Sequence, residues 1–167
     1  MMSQHQKAAE ESPLPAPVIR PAQPSDLPQL ALLRAALWPE SPVEEHASEL
    51  APILAGKFPG ILPLAIFVFQ ADDGPLLGFL EASLRSYADG CNPTHPVGYV
   101  EGWYVVESAR HQGIGAALVR AAEDWARSQG CTELASDAAL HNHASQRAHE
   151  ALGFKLAARA VLYRKSL

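Results

Sequence analysis

The fold is decided by residues 98–129, which read GYVEGWYVVESARHQGIGAALVRAAEDWARSQ. The stretch begins with a β-prone apolar run from Gly98 to Val106 and continues through a polar turn with two glycines. Its last part has the period of a helix, because apolar residues recur three or four positions apart and share one face: Ile114, Leu118, Ala122 and Trp125. The pattern predicts a strand that leads into a glycine loop, which in turn opens a helix.

The start of the predicted helix is suited to an anion such as phosphate. The first amides of a helix lack intrahelical partners, and the helix dipole adds partial positive charge there. Gly113 and Gly115 leave the backbone open to a close ligand, and Arg110 can add a cation. The loop is not a Rossmann fingerprint, since the third glycine is missing, and it lacks the Gly-Lys-Ser/Thr ending of a Walker loop.

The bulk composition is that of an ordinary globular domain. The chain has 167 residues, 48% of them hydrophobic and 19% charged, which is enough for one domain with a real core. We expect a flexible extension over residues 1–17 and a single domain over residues 18–167. No apolar run approaches the ~20 residues of a membrane span, and residues 1–17 contain no signal core, so we expect a cytoplasmic protein with no membrane partner.

Charge and cysteine usage exclude several classes of protein. The formal net charge of −5, without a Lys/Arg cluster, argues against a nucleic-acid partner. It suits a cationic ligand, although solubility is the more common reason for such a charge. Cys91 and Cys131 have no metal-site spacing and predict no disulfide framework. His141, His143 and His149 lack paired Cys or Glu ligands, so we expect no metal.

The rest of the chain supplies strands and helices around this stretch. Val18–Ala22 predicts a first strand and Ser25 a helix start, while Ser41 has the pattern of an N-cap with a capping box for a second helix. Two β-prone runs flank the turn at Asp72–Gly74, which predicts an antiparallel hairpin. After a long loop over 86–96, the later predicted elements are a strand at 133–137, a helix from about 144 to 152, and two terminal β segments at 154–156 and 160–163.

Residues 110–115, Arg-His-Gln-Gly-Ile-Gly, resemble the Arg/Gln-x-x-Gly-x-Gly/Ala signature of the GNAT N-acetyltransferases. A glycine turn that merely starts a helix is the alternative interpretation. Further blocks in the same order are similar to the aminoglycoside 6′-N-acetyltransferases of that superfamily, and these are Leu80–Arg85, Pro96–Gly102, Ala135–Leu140, His149–Phe154 and Val161–Tyr163. The chain departs from the pattern of these enzymes at two places. Many relatives have Asp where this chain has His141, and they have no counterpart of residues 1–17.

The resemblance implies a fold and an acetyl donor. It implies an α/β GNAT fold, with a mixed, mostly antiparallel central sheet flanked by helices, and acetyl-coenzyme A as the donor. The donor's pyrophosphate would bind the glycine loop and its pantetheine the splayed end of the preceding strand, where one free amide near Tyr104 or Val105 would polarise the thioester carbonyl. The implied donor-binding residues are Tyr104, Val105, Val106, Arg110, His111, Gln112, Gly113, Ile114, Gly115, Ala116, Asn142 and Ser145, with helix capping as the alternative for the last two.

Carboxylates are the groups expected to bind and deprotonate an ammonium acceptor. Glu101 lies within an apolar strand, where an unpaired carboxylate is costly to bury. The resemblance assigns Glu101 and Asp137 to the acceptor site. A structural ion pair or an outward-facing position is the alternative for Glu101, and an N-cap is the alternative for Asp137. Glu81 is a further candidate, although alternation along its strand leaves its face undetermined.

Three aromatic side chains complete the implied site. His149 stands four residues before a Gly-Phe pair, where most GNAT enzymes resemble one another in having Tyr, and it could protonate the leaving thiolate. Helix packing or solvent exposure is the alternative for His149. Trp38 and Tyr87 would line the acceptor cleft, because aromatic faces beside carboxylates suit a polycationic sugar. Core packing is the alternative for Trp38.

We therefore expect an aminoglycoside 6′-N-acetyltransferase, an antibiotic-resistance enzyme in which the amine attacks directly within a ternary complex. Neither cysteine lies in a motif that suggests a nucleophile. The alternatives are a GNAT enzyme for another small amine, such as a polyamine, and a non-catalytic coenzyme A binding module. The terminal β segments could leave a sheet edge that needs cover, so we expect a homodimer. The sequence leaves open which aminoglycosides are accepted and which carboxylate is the general base.

Overall fold

The computed structural model describes residues 18–57, 60, 62–72 and 74–167. Within them, the strands of one sheet are β1 (Val18–Pro21), β2 (Leu64–Gln70), β3 (Leu76–Arg85), β4 (Val97–Val105) and β5 (Leu134–Ser136), and the α-helices are α1 (Leu27–Leu37), α2 (Val43–Leu54), α3 (Ile114–Ser128) and α4 (His143–Ala151). Each of these helices is too short or too polar to span a bilayer. The predicted N-terminal extension, residues 1–17, lies outside the described residues.

The sheet has the strand order β1-β2-β3-β4-β5. Every neighbouring pair is antiparallel except β4 and β5, which are parallel, so the predicted mixed, mostly antiparallel sheet is confirmed. The predicted hairpin is also confirmed, because β2 pairs with β3 from Leu64 opposite Ser83 to Gln70 opposite Leu76. Of the turn residues that join them, Asp73 lies outside the described residues.

Helices cover both faces of the sheet. Phe79 and Leu80 are neighbours in β3, and alternation along the strand sends their side chains to opposite faces. Phe79 belongs to the core formed with Leu30 of α1 and Leu50 of α2, whereas Leu80 packs in the core formed with Leu118 of α3. All five side chains are fully buried, and each such burial stabilises the fold by about 1.5–3 kcal/mol. The two layers therefore fix the central strands between them.

The helices agree with the sequence patterns except at two starts. The first helix was predicted to start at Ser25, but Pro24–Asp26 form a 3₁₀ turn and α1 begins at Leu27. The predicted helix at Ile114 is confirmed as α3, and Gly130 follows it in the left-handed conformation with φ of 84°. The capping box predicted at Ser41 is wrong, because Pro42 is the N-cap of α2 and no side chain caps that helix. Pro42 has extended backbone with ψ of 160°, so the helix begins one residue later, at Val43.

The two terminal β segments predicted at 154–156 and 160–163 are wrong for the single chain. Residues 154–167, all of which are described, form neither helix nor strand. Leu162 and Tyr163 are each 93% exposed. A strand needs a neighbour that completes its ladder of hydrogen bonds, and these residues have no such neighbour in the described part of the chain.

Candidate active site

The candidate site opens where β4 and β5 separate. Parallel pairing runs only from Gly98 opposite Leu134 to Val100 opposite Ser136. Beyond this point β4 continues to Val105 without a strand on that side in the described residues. The strand separation that the resemblance implied is therefore present. Tyr104 and Val105 at the end of β4, followed by Val106, form one side of it.

A β-bulge turns β4 at the same place. Glu81 and Ala82 are consecutive in β3, but their partners in β4 are Gly102 and Val100. Glu101 is therefore the extra residue of the bulge. A bulge bends its strand and re-aims the side chain of the extra residue, which explains how a carboxylate in an apolar strand avoids the core.

The glycine loop forms one side of the opening. Gly113 is the N-cap of α3 with φ of 82°, His111 also has a positive φ of 62°, and no side chain caps the helix. The first amides of α3 therefore remain available to an anion. A Cβ at Gly115 would lie 2.6 Å from Cζ2 of Trp103, so glycine is needed for the helix to approach the strand this closely.

Side chains tie this loop to the end of β4. Arg110 donates from Nε to the carbonyl oxygen of Val105 at 3.0 Å, and its guanidinium carbon lies 5.7 Å from the centre of the Tyr104 ring. Gln112 donates from Nε2 to the carbonyl oxygen of Ser108 at 3.3 Å. The arginine and the loop amides thus lie beside the separated strand.

His149 of α4 lies at the same opening. Its Nδ1 is 2.7 Å from the carbonyl oxygen of Ser145, which only accepts, so we assign the ring hydrogen to Nδ1. Its Nε2 is 2.9 Å from Oγ of Ser136, at the end of β5. Trp103 and Phe154 contact the ring edge-on at centroid distances of 5.6 and 5.2 Å. These contacts fix the imidazole in place where the two strands part.

The two predicted acceptor carboxylates are both hydrogen-bonded. Arg85 binds Glu101 with Nη2 at 2.6 Å from Oε2 and Nε at 3.0 Å from Oε1, and the hydroxyl of Ser83 also donates to Oε1. Asp137 accepts a hydrogen bond from the hydroxyl of Tyr99, at 2.6 Å. The side chain of Glu101 is 29% exposed and Asp137 is exposed, so solvent reaches both carboxylates.

The structure separates two capping alternatives. Asn142 is the N-cap of α4 and accepts from the amide of Ser145 at 3.0 Å, so its capping role is present. Asp137 is not the N-cap of that helix, and its carboxylate accepts from Tyr99 instead. The N-cap alternative for Asp137 is therefore not realised at α4.

Tyr99 links Asp137 to Arg85, the partner of Glu101. The guanidinium carbon of Arg85 lies 3.3 Å from the centre of the Tyr99 ring. Burial, and then the hydrogen bond to Asp137, raise the pKa of Tyr99 above its usual range. The phenol therefore stays protonated near neutral pH and continues to donate to Asp137.

Trp38 borders the bulge. A Cβ at Gly102 would lie 2.5 Å from Cζ2 of Trp38, so the indole lies directly on the β4 backbone next to Glu101. The same ring meets Phe79 edge-on at 6.2 Å, which is the core packing that the alternative predicted. Tyr87, in contrast, is 58% exposed and donates to Oδ1 of Asp89 at 2.8 Å.

The side chain of Glu81, in β3, is buried. The residue is 4% exposed, and its Oε1 lies 3.0 Å from Nε of Arg34. Burial raises the pKa of Glu81 to about 7, with Arg34 opposing the rise and the charges of Glu101 and Glu49 adding to it. The sequence suggested that Glu81 contacts the acceptor. The buried carboxyl would have to become exposed before it could do so.

The Acetyltransferase (GNAT) family profile matches residues 30–154. The chain belongs to the GNAT acetyltransferase family. An aminoglycoside N(6′)-acetyltransferase type 1 from Klebsiella aerogenes is 48% identical to it over 151 residues, covering 90% of this chain and 97% of the relative. A protein of the same name from Serratia marcescens is 43% identical over 136 residues, covering 81% of this chain and 89% of the relative.

Solved structures show the same likeness to this GNAT acetyltransferase. AAC(6′)-Iy in complex with the bisubstrate analogue CoA-S-monomethyl-acetylneamine superposes with a TM-score of 0.80 at 36% identity, covering 90% of this chain and 99% of that one. AAC(6′)-Ih from Acinetobacter baumannii superposes with a TM-score of 0.81 at 34% identity, covering 91% and 99%. The predicted family and fold are confirmed.

Four polar residues of the GNAT site were missed by the sequence analysis: Ser83, Arg85, Tyr99 and Ser136. Ser83 and Arg85 are two residues apart and share one face of β3, and Tyr99 lies opposite Ser83 in the sheet. Polar alternation at the end of β3 was the available signal. Their partners could not be predicted, because the bulge at Glu101 changes which side chains meet.

A cleft elsewhere in the GNAT acetyltransferase lacks acid–base groups. It has a volume of about 370 Å³ and is lined by side chains that include Ile53 and Leu54 of α2, Phe67 of β2 and Trp125 of α3. None of its lining residues is titratable.

Proposed function

We propose that the chain is an aminoglycoside 6′-N-acetyltransferase, which transfers the acetyl group of acetyl-coenzyme A to the 6′-amine of an aminoglycoside. The observation that carries the proposal is the opening between β4 and β5, where the glycine loop, His149 and the carboxylates of Glu101 and Asp137 lie together. The named relatives, which are similar over nine tenths of the chain, support the choice of acceptor.

The residues of the glycine loop fit coenzyme A. The uncapped start of α3 and the close approach permitted by Gly115 suit a pyrophosphate, with Arg110 adding a positive charge. The pantetheine would lie along Tyr104 to Val106, and Asn142 and Ser145 would contact the same molecule from α4. When bound, acetyl-coenzyme A supplies the acetyl group from its thioester, and coenzyme A leaves as the thiol.

Glu101 and Asp137 bind the ammonium groups of the acceptor and remove a proton, directly or through water. Both carboxylates are reached by solvent, so a hydrated cation can approach them. Trp38 beside the bulge and Tyr87 in the exposed loop supply aromatic faces for the sugar rings. This combination suits an amino sugar with several positive charges.

The acetyl group passes to the amine without an acetylated cysteine. Burial raises the pKa of Cys131, and burial together with the charge of Glu133 raises the pKa of Cys91. Both thiols are therefore protonated near neutral pH and are poor nucleophiles. Direct attack by the amine needs no covalent intermediate on the protein.

His149 supplies the proton for the leaving thiolate. With its hydrogen on Nδ1 and donated to Ser145, the neutral ring offers Nε2 as an acceptor to Ser136. Nε2 must therefore take up a proton before it can give one. Ser136 can pass this proton, because its hydroxyl gives its own proton to Nε2 while it takes another from water.

Two copies of the chain form a homodimer. β5 pairs only with β4 in the described residues, so its other edge is open. Apolar side chains of the C-terminal segment also lie exposed, notably Leu156, Val161, Leu162 and Tyr163. A partner's C-terminal segment beside β5 would cover both features. Light scattering should then give twice the 17.9 kDa mass of one chain, and the double change Val161→Asp and Leu162→Asp should give the single mass.

The chemistry of the proposed donor and the two free cysteines support a cytoplasmic location. Acetyl-coenzyme A is made and used inside cells, and both cysteines are free thiols, as in proteins of a reducing compartment. Cell fractionation with an antibody against the chain tests this location.

A continuous assay of thiol release tests the proposed function. Kanamycin with acetyl-coenzyme A should release free thiol, whereas an analogue with a hydroxyl in place of the 6′-amine should release none. Turnover of a polyamine but not of kanamycin would point to a GNAT enzyme for another amine. Tight binding of coenzyme A with no turnover on any amine would point to a non-catalytic module.

A further inference from the structure

Arg85 places a positive charge of the protein itself at the acceptor site. Its Nη2 lies 2.6 Å from Oε2 of Glu101 and its Nε lies 3.0 Å from Oε1, so the guanidinium holds both oxygens. Ser83 donates a further hydrogen bond to Oε1. The carboxylate that the proposed function assigns to a substrate ammonium is therefore already paired with a cation.

The same guanidinium is connected to the second carboxylate. It stacks on Tyr99 at 3.3 Å from the ring centre, and the hydroxyl of Tyr99 donates to Asp137 at 2.6 Å. Partial burial lowers the pKa of Arg85, but the hydrogen bond and charge of Glu101, with smaller effects of Tyr99 and Asp137, outweigh it and raise the pKa. The side chain of Arg85 is still 42% exposed, so the guanidinium can move into solvent if another cation takes its place beside Glu101.

We propose that Arg85 is a resident cation that competes with the acceptor for Glu101, so that an ammonium group must displace the guanidinium before Glu101 can bind it. The inference rests on the proposed function, because it takes Glu101 as the group that binds a substrate ammonium. A monoamine that displaces the guanidinium exchanges one ion pair for another and gains little. An acceptor with several ammonium groups gains further contacts, such as one with Asp137, in the same binding event.

The test is the steady-state kinetics of Arg85→Gln with kanamycin and with an amino sugar that carries a single amine. We expect KM for both acceptors to fall about fivefold at low salt, because each must displace the same guanidinium from Glu101. The difference from wild type should shrink at high salt, where exposed charges are screened.

Arg127→Gln is the matched control. It removes the same charge from an exposed position in α3, where Arg127 pairs with Glu123 and Asp124. This variant reports the effect of net charge alone, and its KM values should match those of wild type. Arg85→Lys keeps the charge but loses the two-pronged contact, so its KM for the monoamine should lie between those of wild type and Arg85→Gln.

A monoamine KM in Arg85→Gln that equals or exceeds the wild-type value overturns the inference, since Arg85 would then bind substrate or orient Glu101. If Arg85→Gln does not fold, Arg85→Lys is judged by the same criterion. Failure of the wild-type protein to acetylate any aminoglycoside would overturn the proposed function instead, so the two failures are distinguishable.

Discussion

Oγ of Ser136 lies 2.9 Å from Nε2 of His149, and this contact joins the end of β5 to α4 at the point where β4 and β5 separate. The other ring nitrogen donates to the carbonyl oxygen of Ser145. An imidazole held at both nitrogens has one orientation, which suits proton transfer at a fixed position.

His149→Gln should therefore lower kcat by about 10²-fold, because general acid catalysis by a positioned side chain contributes that order of magnitude. KM for acetyl-coenzyme A should change much less. Steady-state kinetics with kanamycin measures both constants. His143→Gln is the matched control, since it makes the same substitution at an exposed position of the same helix. A kcat equal to wild type in His149→Gln would remove His149 from the proton transfer.

Glu101→Gln should lower kcat/KM for kanamycin by about 10²-fold or more. The amide keeps the size of the side chain but neither attracts the ammonium nor accepts its proton. The same assay on Glu45→Gln, an exposed glutamate in the first turn of α2, should give the wild-type value. If both variants retain wild-type kcat/KM, Glu101 is no more than the structural partner of Arg85.

Gly115→Ala should weaken binding of coenzyme A by about tenfold, since overpacking at a tight contact displaces the surrounding groups. The new methyl group would meet the indole of Trp103, which lies between the loop and His149. Isothermal calorimetry measures the Kd. Gly130→Ala is the control: its φ of 84° makes alanine unfavourable there too, but no atom lies near its Cβ, and the position is at the other end of α3. Equal Kd values in wild type and Gly115→Ala would contradict the tight approach.

The buried carboxyl of Glu81 should make stability depend on pH. Its pKa is about 7 in the folded chain against 4.5 as the ordinary value, so between these pH values the folded state holds one proton more than the unfolded state. Wild-type stability therefore falls as pH rises through this window. Glu81→Gln lacks the effect, so its free energy of unfolding relative to wild type should rise by about 3 kcal/mol across the window and then level off.

Urea unfolding of wild type and Glu81→Gln at a series of pH values measures this difference. Glu45→Gln, at an exposed site, should follow wild type throughout. A constant difference between Glu81→Gln and wild type across the window would show that Glu81 titrates as an ordinary glutamate in the folded chain.

Local patterns predicted the elements that short-range physics determines. The apolar period from Ile114 to Trp125 and the glycines of the loop were enough to predict α3 and its glycine start, because propensity and backbone conformation act within a few residues. The hairpin of β2 and β3 followed from alternation and a turn signal in the same way.

Features that depend on long-range pairing were not predictable. The bulge that re-aims Glu101 arises from the register between β3 and β4, and the Arg85 and Tyr99 contacts follow from it. The apolar run at Ala160–Tyr163 has the composition of a strand, but a strand also needs a partner, and periodicity says nothing about whether the chain supplies one.

Acetylation of the 6′-amine is the central claim, and the structure of the product tests it most directly. Kanamycin should be incubated with the full chain and acetyl-coenzyme A, and the product examined by mass spectrometry and NMR. We predict a single added acetyl group, with the amide on the 6′-nitrogen. An acetyl group on any other nitrogen, or kanamycin recovered unchanged while another amine is acetylated, would contradict the claim.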